Sequence, residues 1–336
     1  MESVNIKQLA SLLNLSIATV SKALRDSYDI SKGTKEKVIA LANELNYQPN
    51  PHASSLRKHK SKTIAVIIPE IANNYFTLAI NGIETVAQEK GYHVLIYLTH
   101  EDYKKEVSLA KELYNGRVDG VLISVSGTTT DCTHLHNLQK KGLPIVFFDR
   151  VSEEFDTVKV TTDDYESSYL ATRHLVEQGC KKITHLAISK SLSIGNKRLQ
   201  GYRKAIADFQ LPDSESLIVE CTNNDEKDVA LIRDMFIREK PDGIFAAVER
   251  YAMAGYEVCR QLDLNIPKDV KVISFSNLPI ASFLNPSLTT ITQPAFNIGH
   301  EAAARLLTTL EKKNVPLTNE SIVFKSSLIQ RASTSK

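Results

Sequence analysis

Residues 6–25, IKQLASLLNLSIATVSKALR, read as two short helices joined by a sharp turn. Ile6, Leu9, Ala10 and Leu13 recur at helical spacing and make one apolar stripe. Asn14 interrupts it, and Asn is one of the few residues that tolerates the left-handed backbone a tight turn needs. Ser16 stands where a second helix needs an N-cap, and Val20, Ala23 and Leu24 give that helix a stripe of its own. Small Ala10, turn residue Asn14 and apolar Val20 fall at offsets that let the two helices cross closely, as in a helix-turn-helix. The far side of the second helix carries Ile17, Ala18, Ser21 and Lys22. That mix suits base reading, since lysine donates to guanine and a small apolar side chain touches a thymine methyl. The stretch also fits an ordinary helical hairpin, so the decision rests on its surroundings.

Val38, Leu41, Ala42 and Leu45 predict a third helix over about residues 34–46, enough for three helices to share one small core. Pro49 stops it. Asn50-Pro51 then offers an N-cap and a first helical residue for a segment of about two turns, too short to be stable unaided in water. The expectation is a segment that orders on docking. Within it Leu56 sits amid cations, suited to wedge between base steps from the minor groove with Arg57 beside it; a plain basic linker is the alternative. Residues 1–62 hold ten Lys and Arg against five Asp and Glu, whereas the whole 336-residue chain has a formal net charge of only +2. A basic head on a slightly acidic body points to a polyanionic partner for the head.

From Thr63 the texture changes. Apolar runs at 63–68, 93–98, 120–124 and 144–148 alternate with helical patterns. The alternation restarts after Asp163 with runs at 183–188, 217–220, 243–248 and 271–275. It ends with a run at 288–292, a helix at 295–312 and a last strand at 322–329. Short buried strands between helices argue parallel sheets covered on both faces. Two successive doubly wound units leave a cleft at their strand carboxyl ends, a natural ligand site. Hydrophobic content of 42% and charged content of 24% fit a folded soluble protein. The opening MESVNIKQ shows no secretory pattern, and no apolar run reaches membrane-spanning length, so a cytoplasmic protein is expected. Cys132, Cys180, Cys221 and Cys259 lack ligand spacing and read as reduced thiols.

No phosphate-binding glycine loop, zincin motif or nucleophile elbow occurs, and the nine histidines show no metal spacing. No cofactor is implied. Asp163-Asp164, at a strand-to-helix turn, reads as a helix cap rather than a catalytic pair. An enzyme on this scaffold therefore lacks support, and a ligand-transport receptor accounts for the body but not for the basic head.

The chain resembles the lactose-repressor (LacI/GalR) family of bacterial transcription factors over nearly its full length. The head carries ATVSKAL and LNYQPNPHASSLR; the body carries GRVDGVLIS, PIVFFDR, NKRLQGYRKAI, PDGIFAAVERYAMA, IPKDVKVISFSN and NPSLTTITQP. The resemblance implies a small all-α helix-turn-helix head plus an α/β core of two doubly wound parallel-sheet lobes, periplasmic-binding-protein-like. It implies a head over 1–48, a hinge helix and linker over 49–62, and a core over 63–336. In that core the N-lobe takes about 63–161 and 293–321, and the C-lobe about 162–292 and 322–332.

By the same resemblance a homodimer binds double-stranded operator DNA, a pseudo-palindrome, as a repressor. A small ligand, a sugar or sugar derivative, switches it as an inducer or as a co-repressor. Ser16 opens the reading helix, Thr19 and Ser21 hold phosphates, and Ile17, Ala18 and Lys22 face base edges. Asn50, Ala53, Leu56 and Arg57 serve the minor-groove hinge. Phe76, Asp149, Arg150 and Arg198 match effector-cleft positions; Arg198 is the leading candidate, while Arg150 also fits an ion pair with Asp149 or another acid. Three positions depart from the family pattern: Asn14 replaces the usual Gly, Val248-Glu249 the usual Asn-Asp, and Ser276 the usual Asp. The last two put a standard hexose contact at Val248, Glu249 and Ser276 in question. The tail shows no leucine heptad, which favours a dimer over a tetramer.

Overall fold

The computed structural model describes residues 4–47, 61–211, 215–312 and 317–335. The chain divides into two compact units, Met1–Ser61 and Lys62–Lys336. The hinge positions Asn50, Ala53, Leu56 and Arg57 lie outside the described residues.

In the first unit, α1 (Ile6–Leu12), α2 (Ile17–Ala23) and α3 (Lys32–Glu44) each start at a polar N-cap. Asn5 and Gln8 form a reciprocal capping box. The Ser16 hydroxyl accepts from the Thr19 amide at 3.0 Å, and Ser31 accepts from the Thr34 amide at 3.3 Å. Ser31 is why α3 begins two residues ahead of the expected start. Leu9, Ala10, Val20, Ala23, Val38 and Ala42 form the buried core. Asn14 takes φ 53°, the left-handed turn its side chain tolerates.

The second unit holds two lobes. The first runs β1 (Thr63–Ile68), α4 (Asn74–Glu89), β2 (His93–Leu98), α5 (Tyr103–Glu112), β3 (Gly120–Ile123), α6 (Thr133–Lys140), β4 (Ile145–Phe148) and β5 (Val158–Thr162). The chain then crosses into the second lobe. There it forms α7 (Asp164–Glu177), β6 (Ile183–Ala187), α8 (Ser193–Asp208), β7 (Ile218–Glu220), α9 (Asp225–Glu239), β8 (Gly243–Ala246), α10 (Glu249–Gln261), β9 (Lys271–Phe275) and β10 (Thr289–Thr292). It returns to the first lobe as α11 (Ala295–Glu311) and β11 (Glu320–Phe324), and crosses a third time into β12 (Ser327–Ile329). The first sheet, ordered β11-β5-β4-β3-β1-β2, is parallel throughout. The second, β12-β10-β9-β8-β6-β7, is parallel except for its edge strand β12.

Two expectations need correction. The run 322–329 is two strands in two sheets: Ile322, Val323 and Phe324 pair with Val160, Thr161 and Thr162 of the first lobe, and only Ser327–Ile329 belong to the second. The crossover therefore falls at Lys325-Ser326, not at residue 322. Strand β5, VKVTT, is fully buried but carries no apolar run; Lys159 sits inside it because its ammonium reaches the Asn319 amide oxygen at 3.0 Å.

Each lobe is drawn tight at a glycine crossing. A Cβ on Gly299 of α11 would lie 1.9 Å from the Ala79 carbonyl of α4, and one on Gly201 of α8 would lie 2.2 Å from the Tyr165 carbonyl of α7. Only glycine permits backbones that close, and these crossings hold the helices that flank the strand ends.

Candidate functional site: a reading helix and an interlobe cleft

On the head, α2 presents Ile17, Ala18 and Lys22 to solvent. Thr19 and Ser21 are half-buried. The Thr19 hydroxyl lies 2.8 Å from that of Ser16, and the Arg25 guanidinium donates to the Ser21 carbonyl and hydroxyl at 2.9 and 3.2 Å. The Lys22 ammonium is paired with Asp29, a bond that holds the Asp29 carboxyl below the ordinary carboxylate range. To reach a base edge, Lys22 must trade that carboxylate for a guanine acceptor. An exposed pair of this kind is weak enough for the exchange.

In the core, the strand carboxyl ends of both lobes meet around a cavity of about 440 Å³. From the first lobe come Glu70 after β1, Glu101 after β2, Gly127 and Thr128 after β3, and Arg150 after β4. From the second come Ser189 after β6, Thr222 and Asn223 after β7, and Val248, Glu249 and Arg250 at the start of α10. His100 and Glu101 both take left-handed backbone (φ 53° and 59°), which turns the Glu101 carboxylate onto the Arg150 guanidinium at 2.8 Å and the Gly127 amide at 2.6 Å. Contacts bridge the lobes directly. Arg250 donates to Glu70 at 3.1 Å, Asn74 to Glu249 at 3.3 Å, and the Ser191 hydroxyl to the Gly127 carbonyl at 3.0 Å.

Of the seven residues expected at an effector, the cavity wall takes Arg150, Val248 and Glu249. The other four stand behind it. Phe76 packs edge-on against Phe148, with the Arg150 guanidinium 5.8 Å above its ring. Asp149 is buried at φ 61°; desolvation pushes its carboxyl up to about 6, against the pull of Arg150 and Arg198. Arg198, the leading candidate, is only 2% exposed and fully engaged. It donates to Asp164 at 2.7 Å and to the Ala247 carbonyl at 2.5 Å, and lies 3.8 Å over the Phe275 ring. It braces the floor of the second lobe instead of lining the cavity. Ser276 donates to Glu249 at 2.9 Å. Asp163 stands at the N-cap of α7 and Asp164 in its first turn, as expected, but the Asp163 side chain bonds no amide of that turn. Asp163 accepts from the Ser326 amide and the Ser167 hydroxyl, both at 2.8 Å, tying two crossover strands together.

Glu70, Asn73, Glu101, Thr128, Ser189, Thr222, Asn223 and Arg250 line the cavity without having been expected there. Each lies within five residues after a strand's carboxyl end, and that position was the available signal. Among the described residues no group of three His, Cys, Asp or Glu side chains is placed to hold a metal, and no helix is long and apolar enough to cross a membrane.

A family model for the periplasmic binding proteins and sugar binding domain of the LacI family matches residues 61–332, and one for the bacterial regulatory proteins of the lacI family matches residues 5–50. The chain belongs to the LacI family. It is accordingly a DNA-binding transcriptional regulator and not an enzyme. Among its relatives, the HTH-type transcriptional repressor PurR of Vibrio atlanticus is 30% identical over 92% of each chain. The ribose operon repressor of Halalkalibacterium halodurans is 29% identical over 98% of this chain and 96% of its own. The crystal structure of the lac repressor dimer bound to operator and the anti-inducer ONPF matches over the whole of both chains with a TM-score of 0.86. At 23% identity that likeness is one of fold.

Proposed function

We propose that this LacI-family regulator is a cytoplasmic repressor that binds a pseudo-palindromic operator as a homodimer and is switched by a small polar ligand in the interlobe cleft. The cavity carries the reading: it is walled from both lobes by carboxylates, guanidinia, hydroxyls and amides, the donor and acceptor set that a sugar or sugar derivative needs. A molecule touching both walls has a different affinity for the open and the closed cleft, and only such a difference shifts a population. Arg150 and Glu249 are assigned to ligand contact, with Val248 as an apolar wall. Phe76, Asp149, Arg198 and Ser276 are assigned to positioning that wall. On the head, Ile17, Ala18 and Lys22 are assigned to base edges in the major groove, and Ser16, Thr19 and Ser21 to the backbone. Asn50, Ala53, Leu56 and Arg57 are assigned to the minor groove at the operator centre, where a flexible step takes the bend at least cost.

Operator affinity, measured at one salt concentration across a panel of sugars and their derivatives, tests the switch. A ligand that changes affinity at least tenfold in either direction supports it. Affinity unmoved by every member, and by whole small-molecule extract, refutes it.

A further inference from the structure

The cavity wall holds three carboxylates and two guanidinium groups. Both guanidinia are matched within the wall: Arg150 to Glu101 at 2.8 Å and Arg250 to Glu70 at 3.1 Å. Glu249 has no cationic partner among the described residues. Its oxygens accept only from neutral donors: the Ser276 hydroxyl at 2.9 Å, the Asn277 amide at 3.1 Å and the Asn74 side-chain amide at 3.3 Å. Glu249 also opens α10, where the helix dipole favours an anion. Those donors are neutral, so they leave the carboxylate without a counter-ion. Its neighbours add none of the missing sign. Arg250 is shared further with Asp225 at 3.9 Å, and Asp228, buried beneath Thr222, is itself a carboxylate held by that residue's amide and hydroxyl. An acidic enclosure repels a phosphate or carboxylate and attracts a cation. The second requirement comes from Arg150. Its side chain is 10% exposed and lines the cavity, and its Nε–H, itself buried, has no hydrogen-bond partner and stands 4.0 Å from the Asp149 carboxylate. A guanidinium at the cavity wall carries donors only, so it calls for an acceptor oxygen from whatever occupies the cavity.

We infer that the effector is a hydroxyl-bearing small molecule with a protonated amine, its ammonium set against Glu249 and an oxygen against Arg150, and that phosphorylated and carboxylated sugars are rejected. This rests on the reading of the cleft as a ligand site. A ligand cation completes a carboxylate that the protein leaves unpaired.

The test uses the full-length chain and small-molecule extract of bacterial cells sorted by ion exchange into cationic, neutral and anionic fractions. Thermal unfolding, followed by tyrosine fluorescence, is the readout, because a molecule that binds only the folded state raises Tm. The expected result is a rise with the cationic fraction alone. Glu249→Gln, which keeps an acceptor for Ser276 and Asn277, should need at least tenfold more of that fraction for the same rise. A rise with the neutral or anionic fraction in place of the cationic one overturns the inference while leaving a ligand cleft intact. So does an unchanged response in Glu249→Gln. If that variant's own Tm is too low to read, the charge sorting on the natural chain decides alone. No rise with any fraction removes the ligand cleft itself, and the inference with it.

Discussion

Arg198→Ala should destabilise the core by several kcal/mol, because three contacts are lost together. The substitution leaves Asp164, with a side chain 1% exposed, without the guanidinium that sits 2.7 Å away. It also removes the donor to the Ala247 carbonyl and the cation over Phe275. Breaking a buried pair by removing one partner costs about 3–5 kcal/mol, because the remaining charge has neither water nor a counter-ion. Burial already raises the Asp164 carboxyl above its ordinary value even with Arg198 present. In the variant it rises further, and the group escapes part of the penalty by taking up a proton. The loss should therefore be largest above neutral pH and shrink in acid. Against a typical domain stability of ~5–15 kcal/mol, such a loss is easily measured. Urea unfolding of the core, followed by far-ultraviolet circular dichroism at about pH 8 and about pH 5, is the assay. The double variant Asp164→Asn, Arg198→Met removes both charges and keeps the volume, so it should recover at least half of the loss and still respond to the cleft ligand. A single-variant loss below ~1 kcal/mol, the size of an ordinary surface change, refutes the bracing role. So does a double variant no better than the single one.

Three further outcomes are expected. Asp149 has a folded-state value of about 6 against an ordinary 3.8, so the folded state holds its proton more tightly. Its stabilising contribution is complete below the lower value and lost as pH rises through the upper, about 3 kcal/mol by neutrality. Asp149→Asn, which suits the φ of 61°, should flatten the stability profile between about pH 4 and 7; a profile parallel to that of the natural chain speaks against it. Lys22→Ala should relax base preference at one position per half-site by ~1–3 kcal/mol, whereas a uniform loss across all sequences places Lys22 on a phosphate instead. Asn14→Ala should cost the head ~1–2 kcal/mol because alanine resists the left-handed turn, and Asn14→Gly should cost nothing; equal melting of the two variants contradicts the turn argument.

The head was legible almost residue by residue because its signals are local. The Ser16 cap, the Asn14 turn and the stripes of Val20 and Val38 each depend on neighbours within a few positions. The lobes were legible through apolar runs, and where a strand lacked one the reading failed. The buried VKVTT of β5 has Lys159, which reaches Asn319, and Thr162, which accepts from the Gln293 side-chain amide, both partners distant in sequence. Likewise nothing local in IVFKSSLI marks the crossing at Lys325-Ser326, since the two halves differ only in which sheet they join. The cleft was half legible. Arg150, Val248 and Glu249 line it, but Arg198 does not, because an arginine's type says nothing about whether an acid such as Asp164, 34 positions away, will claim it.

The most direct test of the central claim is selection of bound sequences from random duplex DNA by the full-length chain, with and without small-molecule extract and at one fixed salt concentration, since backbone affinity depends strongly on salt. A pseudo-palindrome should emerge, its half-sites spaced for two reading helices and its centre a flexible pyrimidine–purine step. Binding with no sequence enriched under either condition contradicts the account.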